Sequence, residues 1–131
     1  MLRIESTLPD ETESLITRTI GCAISVHREL GAGLPEHAYA KALGLELKAA
    51  DIPFEREKRY ALEYRGEYLC DVYVDFVVAN SLVVEIKAVE HLAPIHHAQT
   101  LNYMRVSHLR AGLLINFNVQ ILKDAIRRKI L

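Results

Sequence analysis

The chain has 131 residues, enough for one hydrophobic core and short for two. Half of its residues are hydrophobic and a quarter are charged, which excludes an intrinsically disordered chain. A formal net charge of -1 excludes a general attraction to nucleic acid, so any grip on a phosphate backbone has to come from a local patch or a bound cation.

Residues 1–10 read as a polar, acidic leader, loosely paired to the body and without a signal-peptide pattern, and no apolar run approaches the ~20 residues that cross a bilayer. A cytoplasmic protein without membrane contact is expected, with Cys22 and Cys70 as small buried thiols in a reducing compartment. From Glu11 a helix is predicted: Ile16, Ile20, Ala23, His27 and Leu30 recur at helical intervals, and His27 on this inward face reads as a satisfied core histidine. Asp10, Glu11 and Glu13 suit the positive end of its dipole, and Gly31-Ala32-Gly33 closes it. Pro35 opens a second helix that runs to about Ala50, where Asp51-Ile52-Pro53 breaks it.

Three strands follow: about Phe54 to Tyr64, Tyr68 to Val78 and Leu82 to Val89, joined by turns at Arg65-Gly66-Glu67 and Ala79-Asn80-Ser81. Pro94 opens a third helix to about His108. Ala111 to Phe117 is a continuous apolar run, as in a strand buried on both faces. A last helix is predicted from Gln120 to Ile130, with Lys123, Arg127, Arg128 and Lys129 outward. The order is α-α-β-β-β-α-β-α: a single-domain α/β sandwich spanning residues 1–131, with a central mixed four-stranded sheet.

Three charges interrupt the second and third strands: Asp75, Glu85 and Lys87. A hairpin symmetric about Asn80 sets Asp75 opposite Glu85 and Tyr73 opposite Lys87, on one face of the sheet. Alternation sends Val72, Val74, Phe76, Val78, Val84, Ile86 and Ala88 to the other face, as a core surface. Opposed carboxylates repel unless something neutralises them, and oxygen ligands suit Mg²⁺ or Mn²⁺. Such a cation would lower the pKa of a bound water and offset charge on a phosphate, with Lys87 beside the water. The competing reading is a solvated strand face carrying an ordinary ion pair.

Asp75, a following strand, and Glu85-Ile86-Lys87 resemble the D…ExK signature of the PD-(D/E)XK nuclease superfamily, and the α-β-β-β-α-β order resembles its restriction-endonuclease-like core. Val74 stands where the signature has its proline. Gly33, Leu34, Pro35, Glu36, His37, Ala38 and Tyr39 fit the pattern of one branch, the GxxExxY family, letter for letter. IGCAISVHRELGAGLPE, VEIKAVEHLAPIHHAQTLNYM and GLLINFNV also look like segments of that family, so the resemblance covers about Ile16 to Ile130. It implies a metal-dependent nuclease acting on nucleic acid, with DNA expected. Asp75, Glu85 and the backbone carbonyl of Ile86 resemble metal ligands, Lys87 the catalytic lysine and Glu36 an extra acid from a helix. Gln99 and Tyr103 resemble the QxxxY pair of related nucleases, and their i, i+4 spacing puts both on one helical face.

His96 shares that face and borders the expected site, where it could touch a phosphate; His97 reads as exposed. His91, His96 and His97 match no familiar zinc spacing, and no cysteine joins them. Tyr39 and Tyr73 read as half-buried packing residues whose hydroxyls reach the edge of the site. The basic face of the last helix, with Arg105 and Arg110, reads as a solvated surface or a phosphate-tracking patch. Two further readings stand beside the nuclease: a binding or interaction module that keeps the fold without effective catalysis, and a homodimer whose two sites cut two strands.

Overall fold

The computed structural model describes residues 6–131. They form α1 (Asp10–Leu30), α2 (Glu36–Ala49), β1 (Phe54–Tyr64), β2 (Glu67–Val78), β3 (Leu82–Lys87), α3 (Pro94–Ser107), β4 (Ala111–Asn116), a 3-10 turn (Leu122–Ala125) and β5 (Ile126–Ile130). The five strands lie side by side in sequence order. Neighbours are antiparallel except β3 and β4, which run parallel because α3 carries the chain back between them. This is an α/β fold with a mixed sheet, and no described helix is long and apolar enough to cross a membrane.

The sheet has two covered faces. Phe76, Val78, Leu82, Val84, Ile86, Leu113 and Ile115 pack under α1 and α2, against Ile16, Ala23, Val26, Leu43 and Leu47. Val74, Val77, Val83 and Met104 form a smaller cluster beneath α3, joined by Tyr60, Leu101, Tyr103 and Leu109. Gly112 makes the second contact tight: a Cβ there would stand 2.5 Å from the Met104 sulfur. β3 and β4 are buried on both faces, as their apolar runs require.

Four sequence expectations change. The helix predicted over 120–130 is instead the 3-10 turn and the edge strand β5, so the sheet has five strands rather than four. The apolar strand β4 would otherwise end the sheet with a bare hydrogen-bonding edge; β5 pairs along it from Ile115↔Ile126 to Ala111↔Ile130. The charges of Arg127, Arg128 and Lys129 then sit on an edge strand, where they discourage further pairing. Val74 lies under α3, not with Phe76 on the face of α1 and α2. Cys22 is buried as expected, but Cys70 is exposed because the outer part of the β1–β2 hairpin projects beyond the helices. Of the expected leader, residues 1–5 lie outside the described residues; within 6–9, Leu8 is in the core and Arg110 Nη2 donates to Thr7 Oγ1 at 2.9 Å.

Candidate active site

The β2–β3 ladder runs Val78↔Leu82, Val77↔Val83, Phe76↔Val84 and then stops. One further step in the same register sets Asp75 against Glu85, as the symmetric turn predicts. The other neighbour of Asp75 is missing as well. Glu57 falls between the pairs Arg56↔Phe76 and Lys58↔Val74, but it has φ +48° and takes no place in the ladder. The alternation of β2 changes phase at this point, which is why Val74 turns to α3.

Two backbone N–H groups are left without carbonyl partners, and each goes to a carboxylate. Asp75 N donates to Glu85 Oε1 at 3.1 Å, and Ile86 N donates to Asp75 Oδ2 at 2.9 Å. Each acid thus caps the other's strand, which locks the two carboxylates side by side. N–H and C=O of one strand residue face the same side, so the Ile86 carbonyl faces the same opening between β2 and β3.

Glu85 is only 2% exposed. Burial disfavours its charged form, the Asp75 carboxylate disfavours it further, and together they push its pKa up to about 8 against the opposing effects of the Asp75 N–H and Lys87. Two neighbours feel the same field. The Glu36 carboxyl, at the start of α2, is raised by burial and by Asp75 and lowered by Lys87 and His96. The Tyr103 hydroxyl, on α3, is raised by burial and then by Glu85 and Asp75. Gln99, one turn before Tyr103, buries its Oε1 with no hydrogen-bond partner among the described residues.

Asp75, Glu85, Lys87, Glu36 and Tyr103 therefore share one electrostatic neighbourhood, reached from both faces of the sheet. Gln99 and His96 both belong to α3, and the charge of His96 is felt at Glu36 on α2. His96 has a structural task too: its Nδ1 accepts from Ala93 N at 2.9 Å and fixes the entry to α3. Tyr73 stands apart, 55% exposed on the projecting hairpin rather than half-buried.

Other expectations are corrected. Tyr39 is fully buried, and its hydroxyl does not reach the site: it donates to Gly31 O at 2.5 Å and accepts from Leu34 N at 3.1 Å, while the ring stacks on Phe117. It thereby shapes the loop that delivers Glu36. His97 is half-buried, with Nδ1 2.6 Å from Lys129 Nζ. The expected basic face is dispersed, because Lys129, Arg128 and Arg110 are each engaged by protein groups. His27 bonds Val119 O at 2.7 Å, as a satisfied histidine does.

Sequence reading missed Asn116, Arg56 and Glu57. Asn116 is 2% exposed; its side chain accepts from Val89 N and Asn118 N and donates to Val89 O, pinning the chain just beyond Lys87 onto β4. An asparagine ending an apolar strand was the available signal. Glu57 carried none, since a positive φ at a non-glycine residue leaves no mark in composition.

A metal ion can be tested against this donor set. Among the described residues no group of three or more His, Cys, Asp and Glu side chains forms a ready cage. What is present is oxygen only: two carboxylates, each bound to the other's strand, and one strand carbonyl. Mg²⁺ commonly takes one or two carboxylates and fills the rest with water and substrate phosphate, so the residues fit a hard divalent cation and not zinc. A family model described as the PD-(D/E)XK nuclease superfamily matches residues 13–129. No curated protein and no solved structure matches the chain.

Proposed function

We propose that this chain, which belongs to the PD-(D/E)XK nuclease superfamily, is a Mg²⁺- or Mn²⁺-dependent nuclease that hydrolyses phosphodiester bonds of DNA. One observation carries the reading: Asp75 and Glu85 are held carboxylate to carboxylate by each other's strands, in a buried break of the ladder beside Lys87. A pair of this kind costs stability unless a proton or a cation joins it, and a cation is the partner that leaves both carboxylates charged. Members of the superfamily generally use divalent metal ions.

Asp75, Glu85 and the Ile86 carbonyl would hold the ion. When bound, it supplies Lewis-acid stabilisation of phosphate charge and a water of lowered pKa. Lys87 leaves β3 next to Glu85 and orients the attacking water, or takes its proton. Glu36, whose carboxyl pKa is raised by burial and eased back by Lys87, stands as an extra acid at the mouth of the site. Gln99 and Tyr103 offer an amide and a hydroxyl to a phosphate oxygen from the α3 side, and His96 borders the same groove. Tyr73 contributes only on the approach, since it stands out on the hairpin.

We further place the chain in the GxxExxY branch and read it as one domain. Each letter of the motif has a physical task that supports this. Gly33 has φ +96° and its N–H donates to Asn118 Oδ1 at 3.1 Å. Glu36 faces Asp75 and Lys87, and Tyr39 closes the loop between them.

The test is cleavage of single- and double-stranded DNA and of RNA, with Mg²⁺ or Mn²⁺, by the wild type and by Asp75→Ala, Glu85→Ala and Lys87→Ala. Wild-type cutting that all three variants lose is expected; equal activity in all four proteins would remove the assignment. One observation favours a second reading, a protein-interaction module that keeps the fold with weak catalysis: the basic residues near the C-terminus are spent on protein contacts rather than left free for phosphate. Metal binding without cutting would decide for it.

A further inference from the structure

Arg56 is not used by the scheme above, and it lies beside the site. It sits on β1 opposite Phe76, so it is one strand over and one residue along from Asp75. With Glu36, His37, Ala40, Glu57 and Asp75 it lines a cleft of about 90 Å³.

Its side chain is held in place by apolar contacts. The guanidinium stands over the Phe76 ring, 5.4 Å from the centroid. The stem passes Gly44 of α2, where an added Cβ would lie 3.5 Å from Arg56 Cδ. Three carboxylates share the cleft, yet among the described residues Arg56 makes no hydrogen bond and no ion pair. Its fork of N–H donors is therefore pre-oriented and free. This contrasts with Arg59, which bonds Asp71 at 2.9 Å, and with Arg128, which is paired to Glu13.

A planar, oriented guanidinium with free donors suits the paired non-bridging oxygens of a phosphate. We propose that Arg56 is a substrate-binding residue that grips a backbone phosphate of the nucleic acid in the cleft beside Asp75. The inference rests on the nuclease reading and assigns it a direction: the strand enters across the N-terminus of α2, on the side of β1.

The test measures binding of a short fluorescein-labelled DNA duplex against NaCl concentration in chelator, and Mn²⁺-dependent cleavage of the same duplex. Arg56→Met keeps an apolar stem over Phe76 and removes the charge; Arg56→Gln is a second variant, and thermal melting checks that each is folded. Arg28→Met, on the last turn of α1, is the comparison. Loss of one phosphate contact lowers the salt slope of log K by roughly 0.9. Loss of a charge-assisted bond weakens binding roughly tenfold or more. Both effects are expected in the Arg56 variants, together with slower cleavage, and neither in Arg28→Met. Arg56→Lys is expected to restore the slope but not the full affinity. If the wild type binds and cuts while the Arg56 variants match it in slope and rate, the Arg56 assignment is overturned and the nuclease reading stands. If the wild type neither binds nor cuts, both are overturned.

Discussion

Glu85 carries the largest electrostatic strain among the described side chains, and that strain has a measurable sign. Its folded pKa of about 8 lies above the ordinary 4.5, so between those values the folded state holds a proton that the unfolded state releases. Without metal, its contribution to stability is full below about pH 4.5 and is lost as pH rises through about 8. Denaturant unfolding in chelator at a series of pH values is expected to show this decline, on the order of a few kcal/mol. Glu85→Gln, neutral throughout, is expected to flatten it; an unchanged slope in that variant would assign the proton elsewhere. Asn116 is the opposite case, a buried polar group with all its bonds made. Asn116→Leu leaves both polar groups of Val89 unpaired, and a loss of roughly 1–3 kcal/mol is expected in the same experiment. The Asp75, Glu85 and Lys87 cluster was legible in sequence because charges inside apolar strands are conspicuous and a two-periodic strand fixes their face. The partner of each carboxylate was not legible. It depends on where the ladders end, and the kink at Glu57 sets that without any glycine or proline to announce it.

The strands and helices followed their sequence signals wherever periodicity and breakers agreed. Asn80 and Ala79, both with positive φ, make the turn that centres the hairpin, and the apolar runs of β3 and β4 marked the buried strands. The C-terminal element failed because Ile121, Leu122, Ala125, Ile126 and Ile130 satisfy a helical pattern, while the need to cover β4 is a tertiary demand that local pattern does not register. Two consequences follow at this scale. A chain ending at Ala125 lacks β5 and leaves the edge of β4 bare, so it is expected to aggregate on refolding where the full chain stays monodisperse by light scattering. The loop before α2 depends on the Tyr39 hydroxyl, which bonds Gly31 O and Leu34 N. Tyr39→Phe is expected to cost roughly 1–3 kcal/mol of stability and, by loosening the start of α2, to move Glu36 away from Asp75.

At the scale of the whole molecule, the fold is a device for holding two acids in a break of its own sheet. α1 and α2 clamp one face and bring Glu36; α3 clamps the other and brings Tyr103; β2 and β3 separate between them. The near-neutral composition gives such a molecule little long-range pull on a polyanion, and the cation proposed at the break would be a means of gaining one. Joint possession of that cation by Asp75 and Glu85 is the central claim, and the Glu85 proton makes it directly measurable, because metal and proton compete for one carboxylate. The decisive experiment is a calorimetric titration of Mn²⁺ into the wild type and Glu85→Gln near pH 7, repeated in two buffers of different ionisation enthalpy. Saturable binding by the wild type, with release of roughly one proton per ion, is predicted, and it should be lost in Glu85→Gln. Wild-type binding without proton release, equal binding by both proteins, or no binding by either would contradict it.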